Sequence, residues 1–194
     1  MDKKISVNIV NWNGLRHIEK CLDSIRNQDY EDTVEVVLVD NNSTDGSLEI
    51  VLEKYPEVKL IRNSSNLGFC KAHNQAIGLT EPDYYLLLNY DVILNRSFMS
   101  EMVKAIEHDD VGMVSGKLYR GVSNDTRTID STGIEMPFYF QTPRGELTED
   151  VGQFDAEEYV FGPCGAAPLY KRKMLEDIKI NNQYFDEDFV NYVE

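Results

Sequence analysis

Four short runs rich in β-branched and apolar residues set the fold, because each is followed by a polar Asn or Asp turn and then by a segment with helical spacing. The runs are Ile5 to Val10, Val34 to Val39, Val58 to Ile61 and Tyr84 to Leu88. Val34 to Val39 and Tyr84 to Leu88 are nearly continuous in apolar character. A strand of that kind is covered on both faces, as in a parallel sheet. Between the runs the period changes. Ile18, Cys21, Leu22 and Ile25 fall on one face of a helix. Ser47 to Tyr55 reads as a second helix stopped by Pro56, Phe69 to Leu79 as a third, and Ser97 to Glu107 as a fourth. Val111 to Val114 reads as a further strand. This alternation predicts an α/β fold with an open, mainly parallel sheet and helices on both faces.

The pattern breaks after Leu118. Residues 119–160 scatter Gly, Pro, Thr and aromatics, with hairpin-like pieces such as Gly133 to Gln141. They read as an irregular β excursion on the same domain. Order returns with Tyr159-Val160-Phe161, a Gly165-Ala166-Ala167 turn, and a helix from Lys171 to Ile178. The length of 194 residues suits one domain, 1–194, with a full core.

The net charge of −15 excludes general nucleic-acid binding, which needs a basic face. It leaves room for a small anionic ligand held by backbone N–H groups and a divalent cation. Cys21, Cys70 and Cys164 are far apart, so free thiols in a reducing cytoplasm are expected, and with His17, His73 and His108 they do not make a zinc site. No run of about 18 uncharged apolar residues is present, and the start lacks the pattern of a signal peptide.

In an open α/β sheet the ligand lies beyond the carboxyl ends of the strands. Those ends carry Asn11-Trp12-Asn13, Asp40-Asn41-Asn42-Ser43, Asn63 to Asn66, and Asn89-Tyr90-Asp91. One such end is turn chemistry. Four of them together point to a polar ligand. Asp40 either accepts bonds from a ribose or pyrimidine, or caps its own turn. A dinucleotide site is excluded at the first turn, where Asn11-Trp12-Asn13-Gly14-Leu15 stands in place of G-x-G-x-x-G, and a Walker-type loop is absent too. Asp91 follows five apolar or aromatic residues, and a carboxylate there calls for a partner or a metal. In extended backbone Asn89 and Asp91 would share one side, suited to a hard cation and its phosphates. Gly68 permits close ligand approach, and Lys71 and Asn74 lie one helical turn apart, within reach of a diphosphate. His73 reads as a surface or packing histidine, and Trp12 as a packing residue before a stacking platform. In the acidic, aromatic segment Phe185 to Glu194, the aromatics imply that part of it packs.

Taken in order, Val39-Asp40-Asn41-Asn42-Ser43-Thr44-Asp45-Gly46-Ser47, Asn66-Leu67-Gly68-Phe69, Leu87-Leu88-Asn89-Tyr90-Asp91 and Gly165-Ala166-Ala167-Pro168-Leu169-Tyr170 resemble family 2 glycosyltransferases, in particular the rhamnosyltransferase-like branch. The resemblance spans nearly the whole chain. It implies a GT-A fold, a nucleotide-diphospho-sugar donor, Mg²⁺ or Mn²⁺, and inversion at the anomeric carbon. It places Asp40 at the base or ribose, and Asn66, Lys71 and Asn74 near the nucleotide and diphosphate. Asn89-Tyr90-Asp91 stands where the family has its D-x-D-type signature, with Asp91 as the metal ligand. The full set expected at the donor is Asn11, Asn13, Asp40, Asn42, Asn66, Gly68, Lys71, Asn74, Asn89 and Asp91. In the family the base that deprotonates the acceptor belongs to a Glu-Asp pair after a segment like Phe185 to Tyr192. Here Glu194 stands where that Glu would be, and Asp188 is the other candidate. The expected Asp is missing, so either the chain is cut short of its acceptor side, the favoured reading because family members usually continue with further helices, or Glu194 or Asp188 substitutes, or the chain is catalytically impaired. The acceptor implied is a glycan or a lipid-linked hydroxyl of cell-surface polysaccharide synthesis. The site of action is then the cytoplasm or the inner face of the membrane, with peripheral contact only. Two other classes compete. One is a nucleotide-sugar-binding module without transfer activity. The other is a nucleotidyltransferase, which lacks its Gly-rich basic loop here.

Overall fold

The computed structural model describes residues 2–121 and 127–189 of the 194-residue chain. Its frame is a six-stranded sheet. β1 (Ile5–Asn11), β2 (Val34–Asp40), β3 (Lys59–Arg62) and β4 (Tyr84–Asn89) pair in parallel, in the order β3-β2-β1-β4. β5 (Met113–Ser115) forms the edge beyond them. The excursion contributes two small antiparallel pairs. β6 (Leu118–Tyr119) pairs with β7 (Ile129–Ser131), and β8 (Ile134–Glu135) with β9 (Thr142–Pro143). β10 (Pro168–Lys171) then inserts between β4 and β5, antiparallel to both.

The helices cover both faces, as the alternation requires. α1 (Ile18–Arg26), α2 (Ser47–Lys54) and α4 (Phe98–Ile106) pack on one face against Ile5, Val7, Ile9, Leu86 and Leu88. α3 (Phe69–Ile77) and α5 (Arg172–Ile178) cover the other, against Val37, Val39, Tyr85 and Leu87. Alternate residues of β1, β2 and β4 therefore divide between two cores. Each fully buried aliphatic side chain contributes about 1.5–3 kcal/mol to holding these layers together. Among the described residues no helix is long and apolar enough to cross a membrane.

Three details differ from the sequence pattern. The strand expected over Val111 to Val114 begins at Met113 and ends at Ser115. The Gly165-Ala166-Ala167 turn and the helix after it are present, with β10 as an additional strand between them and the helix starting at Arg172. β10 is only four residues long and opens on Pro168, so its strand character comes from pairing with Tyr84–Leu86 rather than from local pattern. Tyr159 to Phe161 form no strand; Phe161 joins the excursion by donating its N–H to the Ile134 carbonyl at 3.1 Å.

Candidate functional site

The strand order reverses between β1 and β4. From β1 the chain builds outward through β2 and β3, then returns to place β4 on β1's other side. The register pairs Asn11 with Asp40 and Val10 with Asn89, so three polar strand ends meet at this switch point.

Asn11 and Asp40 are buried, at 0% and 2% exposure. Asn11 Nδ2 lies 3.0 Å from Asp40 Oδ1, 3.0 Å from Ser43 Oγ and 2.9 Å from Ser47 Oγ. The Ser43 N–H donates to Asp40 Oδ2 at 3.0 Å. Asp40 thus closes its own turn and ties β2 to β1. What it can offer a ligand is the acceptor capacity those two bonds leave. The first two loops are zipped together. The Thr44 N–H donates to Asn13 Oδ1 at 2.9 Å, and the Leu15 N–H to Asp45 Oδ2 at 2.8 Å. The Ser47 N–H and hydroxyl both donate to Asp45 Oδ1. Burial opposes ionisation of Asp45, but the bonds from Ser47 and Leu15 outweigh it and hold the carboxyl below its ordinary range. Asn13 and Asn42 take left-handed backbone, with φ of 55° and 64°, which Asn tolerates better than most residues. Both side chains are exposed.

Asn41 is a hub that composition alone does not single out. Its Nδ2 donates to Asn66 Oδ1 at 3.1 Å and to the Gly68 carbonyl at 3.2 Å, and its Oδ1 accepts from Asn63 Nδ2 at 2.9 Å. Asn63 and Gln75 exchange a reciprocal pair of amide bonds at 3.0 Å. A chain of side-chain amides therefore fixes the ends of β2 and β3 to α3. The run of Asn at two strand ends is the one sequence signal for it. Gly68, at φ 80° and ψ −175°, sits in backbone space that only glycine occupies freely, and it turns the loop into the first turn of α3.

The Asn89-Tyr90-Asp91 segment differs from expectation in one respect. The chain turns directly after Asn89, and the Val92 N–H donates to the Asn89 carbonyl at 3.1 Å. The alternation that would put Asn89 and Asp91 on one side of an extended strand does not apply. Tyr90 instead lies over the first loop, where a Cβ on Gly14 would fall 2.8 Å from its ring. Burial, Asp91 and Asp45 together raise the Tyr90 hydroxyl pKa, which records both carboxylates nearby. Asp91 is exposed. Among the described residues no three His, Cys, Asp or Glu side chains cluster so as to hold a metal by themselves. One open carboxylate does fit a hard cation that a bound diphosphate helps to ligate, since Mg²⁺ and Mn²⁺ favour carboxylate and phosphate oxygen.

Lys71 and Asn74 both meet the C-terminal segment. The Asn74 amide is taken up by the C-terminal segment: Nδ2 donates to the Phe185 carbonyl at 2.8 Å, and Oδ1 accepts the Phe185 N–H at 3.0 Å. Lys71 Nζ faces Glu187 at 3.7 Å. Intrasegment geometry explains why both were legible as polar helix positions but not as anchors: their partners are more than 110 residues away in sequence. His73 is wholly buried against Phe69 and Phe185 and is a packing residue. Trp12 is half exposed at 51%, so it is not packed in the core. Asp188 is exposed, and its N–H donates to Asp186 Oδ1 at 3.0 Å. Glu194 lies outside the described residues.

The profile of the family described as Glycosyl transferase family 2 matches residues 6–179. Glycosyltransferase GlyG of Streptococcus pneumoniae serotype 4 is 25% identical over 64% of this chain and 42% of its own length. The poly(ribitol-phosphate) beta-glucosyltransferase of Bacillus spizizenii is 27% identical over 91% of this chain and 26% of its own. Among solved structures, the mannosyltransferase PcManGT from Pyrobaculum calidifontis, in complex with GDP-Man and Mn²⁺, superposes with a TM-score of 0.65 at 24% identity, covering 92% of this chain and 47% of that one. TarS 1-349 of S. aureus with UDP gives 0.65 at 23%, covering 97% and 52%. The fold is GT-A and Rossmann-like, and the chain spans about a quarter to a half of the length of these four proteins.

Proposed function

This chain belongs to glycosyl transferase family 2, and from that premise we propose that it binds the donor for an inverting, metal-dependent transfer of a sugar from a nucleotide-diphospho-sugar to an acceptor hydroxyl. The observation that carries this reading is Asp91, an open carboxylate one turn past the most apolar strand, at the point where the strand order reverses. The similar structures in complex with GDP-Man and Mn²⁺, or with UDP, support it.

In this reading Asp91 would hold a divalent cation, and the chemistry that cation would supply is to offset the charge gathering on the departing nucleoside diphosphate. Asn11, Asp40 and Asn41 keep the first two loops and the Asn66–Gly68 loop rigid, so that their backbone groups meet the nucleotide without reorganisation. Asn13, Asn42, Asn66 and Asn89 supply polar contacts around it. A carboxylate carried on the C-terminal segment, Asp188 or Glu194, accepts the proton of the attacking hydroxyl. A groove of about 770 Å³ between α4, the β5 edge and residues 154–163 opens beside the excursion and is the acceptor side in this account. We assign the acceptor to glycan or lipid-linked hydroxyls of cell-surface polysaccharide synthesis at the inner face of the membrane. The motif set, including Asn in place of the first Asp of the D-x-D-type signature, supports the rhamnosyltransferase-like branch.

The test is release of nucleoside diphosphate from a panel of nucleotide sugars with Mn²⁺, in the presence of glycan acceptors. With Asp188 as base, Asp188→Asn lowers turnover by about 10²–10⁴. Unchanged turnover moves the base to Glu194. Donor binding with no release from any donor would make the chain a binding module.

A further inference from the structure

The mechanism above leaves Asn74 unused, yet its amide is fully committed. Oδ1 accepts the backbone N–H of Tyr184 at 3.1 Å and of Phe185 at 3.0 Å. Nδ2 donates to the Phe185 carbonyl at 2.8 Å and to Glu187 Oε1 at 3.1 Å. Lys71, one turn earlier, faces the other oxygen of Glu187 at 3.7 Å. The Phe185 ring packs beside Phe69, His73 and Tyr170, with centroids 6.0–6.5 Å apart. The segment after α5 is therefore fastened to the side of α3 by one amide, one ion pair and one aromatic cluster.

The proposed donor loop runs straight into the start of α3. Asn41 holds Asn66 and Gly68 there, and Asn63 holds Gln75, the residue after Asn74. Gly68 and Asn74 are six residues apart, which is about 9 Å along a helix axis. One rigid element thus carries the donor loop at its start and the acidic segment on its flank.

We propose that Asn74 is a positioning residue: through α3 it sets where the carboxylates of Asp186 and Asp188 stand relative to the bound donor. The inference rests on the donor reading above and deepens it. Glu187 is the latch, since Asn74 and Lys71 occupy both of its oxygens, and the exposed Asp188 is the group delivered. The Tyr184 and Phe185 amides report the latch directly, because each donates to Asn74.

Hydrogen exchange on the whole chain, with and without Mn²⁺ and UDP or GDP, tests this. Asn74→Ala raises exchange across residues 183–189 by at least about tenfold and leaves residues 34–40 protected. In the wild type, bound nucleotide slows exchange at residues 63–70 and also at 183–189; in Asn74→Ala only the first response survives. Asn74→Asp, which keeps an acceptor for the two N–H groups but sets a carboxylate oxygen against the Phe185 carbonyl and Glu187, raises exchange there as well. In the transfer assay Asn74→Ala lowers kcat with donor KM unchanged. Nucleotide protection at 63–70 with no response at 183–189 in the wild type, or a response that Asn74→Ala leaves intact, overturns the role of Asn74. No response at either segment overturns the donor reading, and this inference with it.

Discussion

At Gly14 the absence of a side chain lets Tyr90 and Asn11 close over the first loop. A Cβ there would stand 2.3 Å from Asn11 Oδ1 and 2.8 Å from the Tyr90 ring. Asn11 is wholly buried and its Nδ2 is held by Asp40, Ser43 and Ser47, so its Oδ1 gives way only by breaking those bonds. Gly14→Ala therefore lowers stability by about 1–3 kcal/mol, read as a lower urea midpoint. A midpoint equal to wild type would mean that the loop relaxes freely. The polar strand ends that line the candidate site were legible: each is visible in sequence, and so is the set of four. What was hidden is which polar groups face a ligand and which face each other. Asp40 closes its own turn, Asn41 ties β2 to β3 and α3, and Asn74 holds a segment 110 or more residues away. Those partnerships depend on strand order and register, which a local pattern does not contain.

Among the elements, α3 has the most to do. It covers the sheet through Ala72, Ala76 and Ile77, and holds the C-terminal segment through Phe69 and His73. Neither His73 nitrogen has a hydrogen-bond partner among the described residues, and burial takes its pKa from 6.5 down to about 3. The ring is neutral in the fold, whereas the unfolded chain takes up a proton below about pH 6.5. Stability from this group is therefore complete above that pH and is lost as pH falls toward 3. Compared with wild type, His73→Phe loses less melting temperature between pH 7 and pH 4. A difference between the two proteins that does not vary with pH would mean the ring titrates normally. The parallel strands and the first four helices were plain in the sequence because each carries its own period. β10 was not, because a four-residue strand opening on proline gains its character only from β4 and β5 on either side.

The molecule as a whole is acidic, at −15, and its ligand in this account is an anion. A net repulsion of that size is overcome at short range by preorganised N–H groups, and by a cation that carboxylate and phosphate share. The central claim is that donor binding runs through such a cation at Asp91. Thermal melting of wild type and Asp91→Ala, with Mn²⁺ alone, with UDP or GDP alone, and with both together, tests it most directly. A ligand in hundredfold excess over its Kd stabilises the native state by about 2.7 kcal/mol. The account predicts a shift of that order for wild type only when cation and one of the nucleotides are both present, and its loss in Asp91→Ala. An equal cation-dependent shift in Asp91→Ala would contradict it.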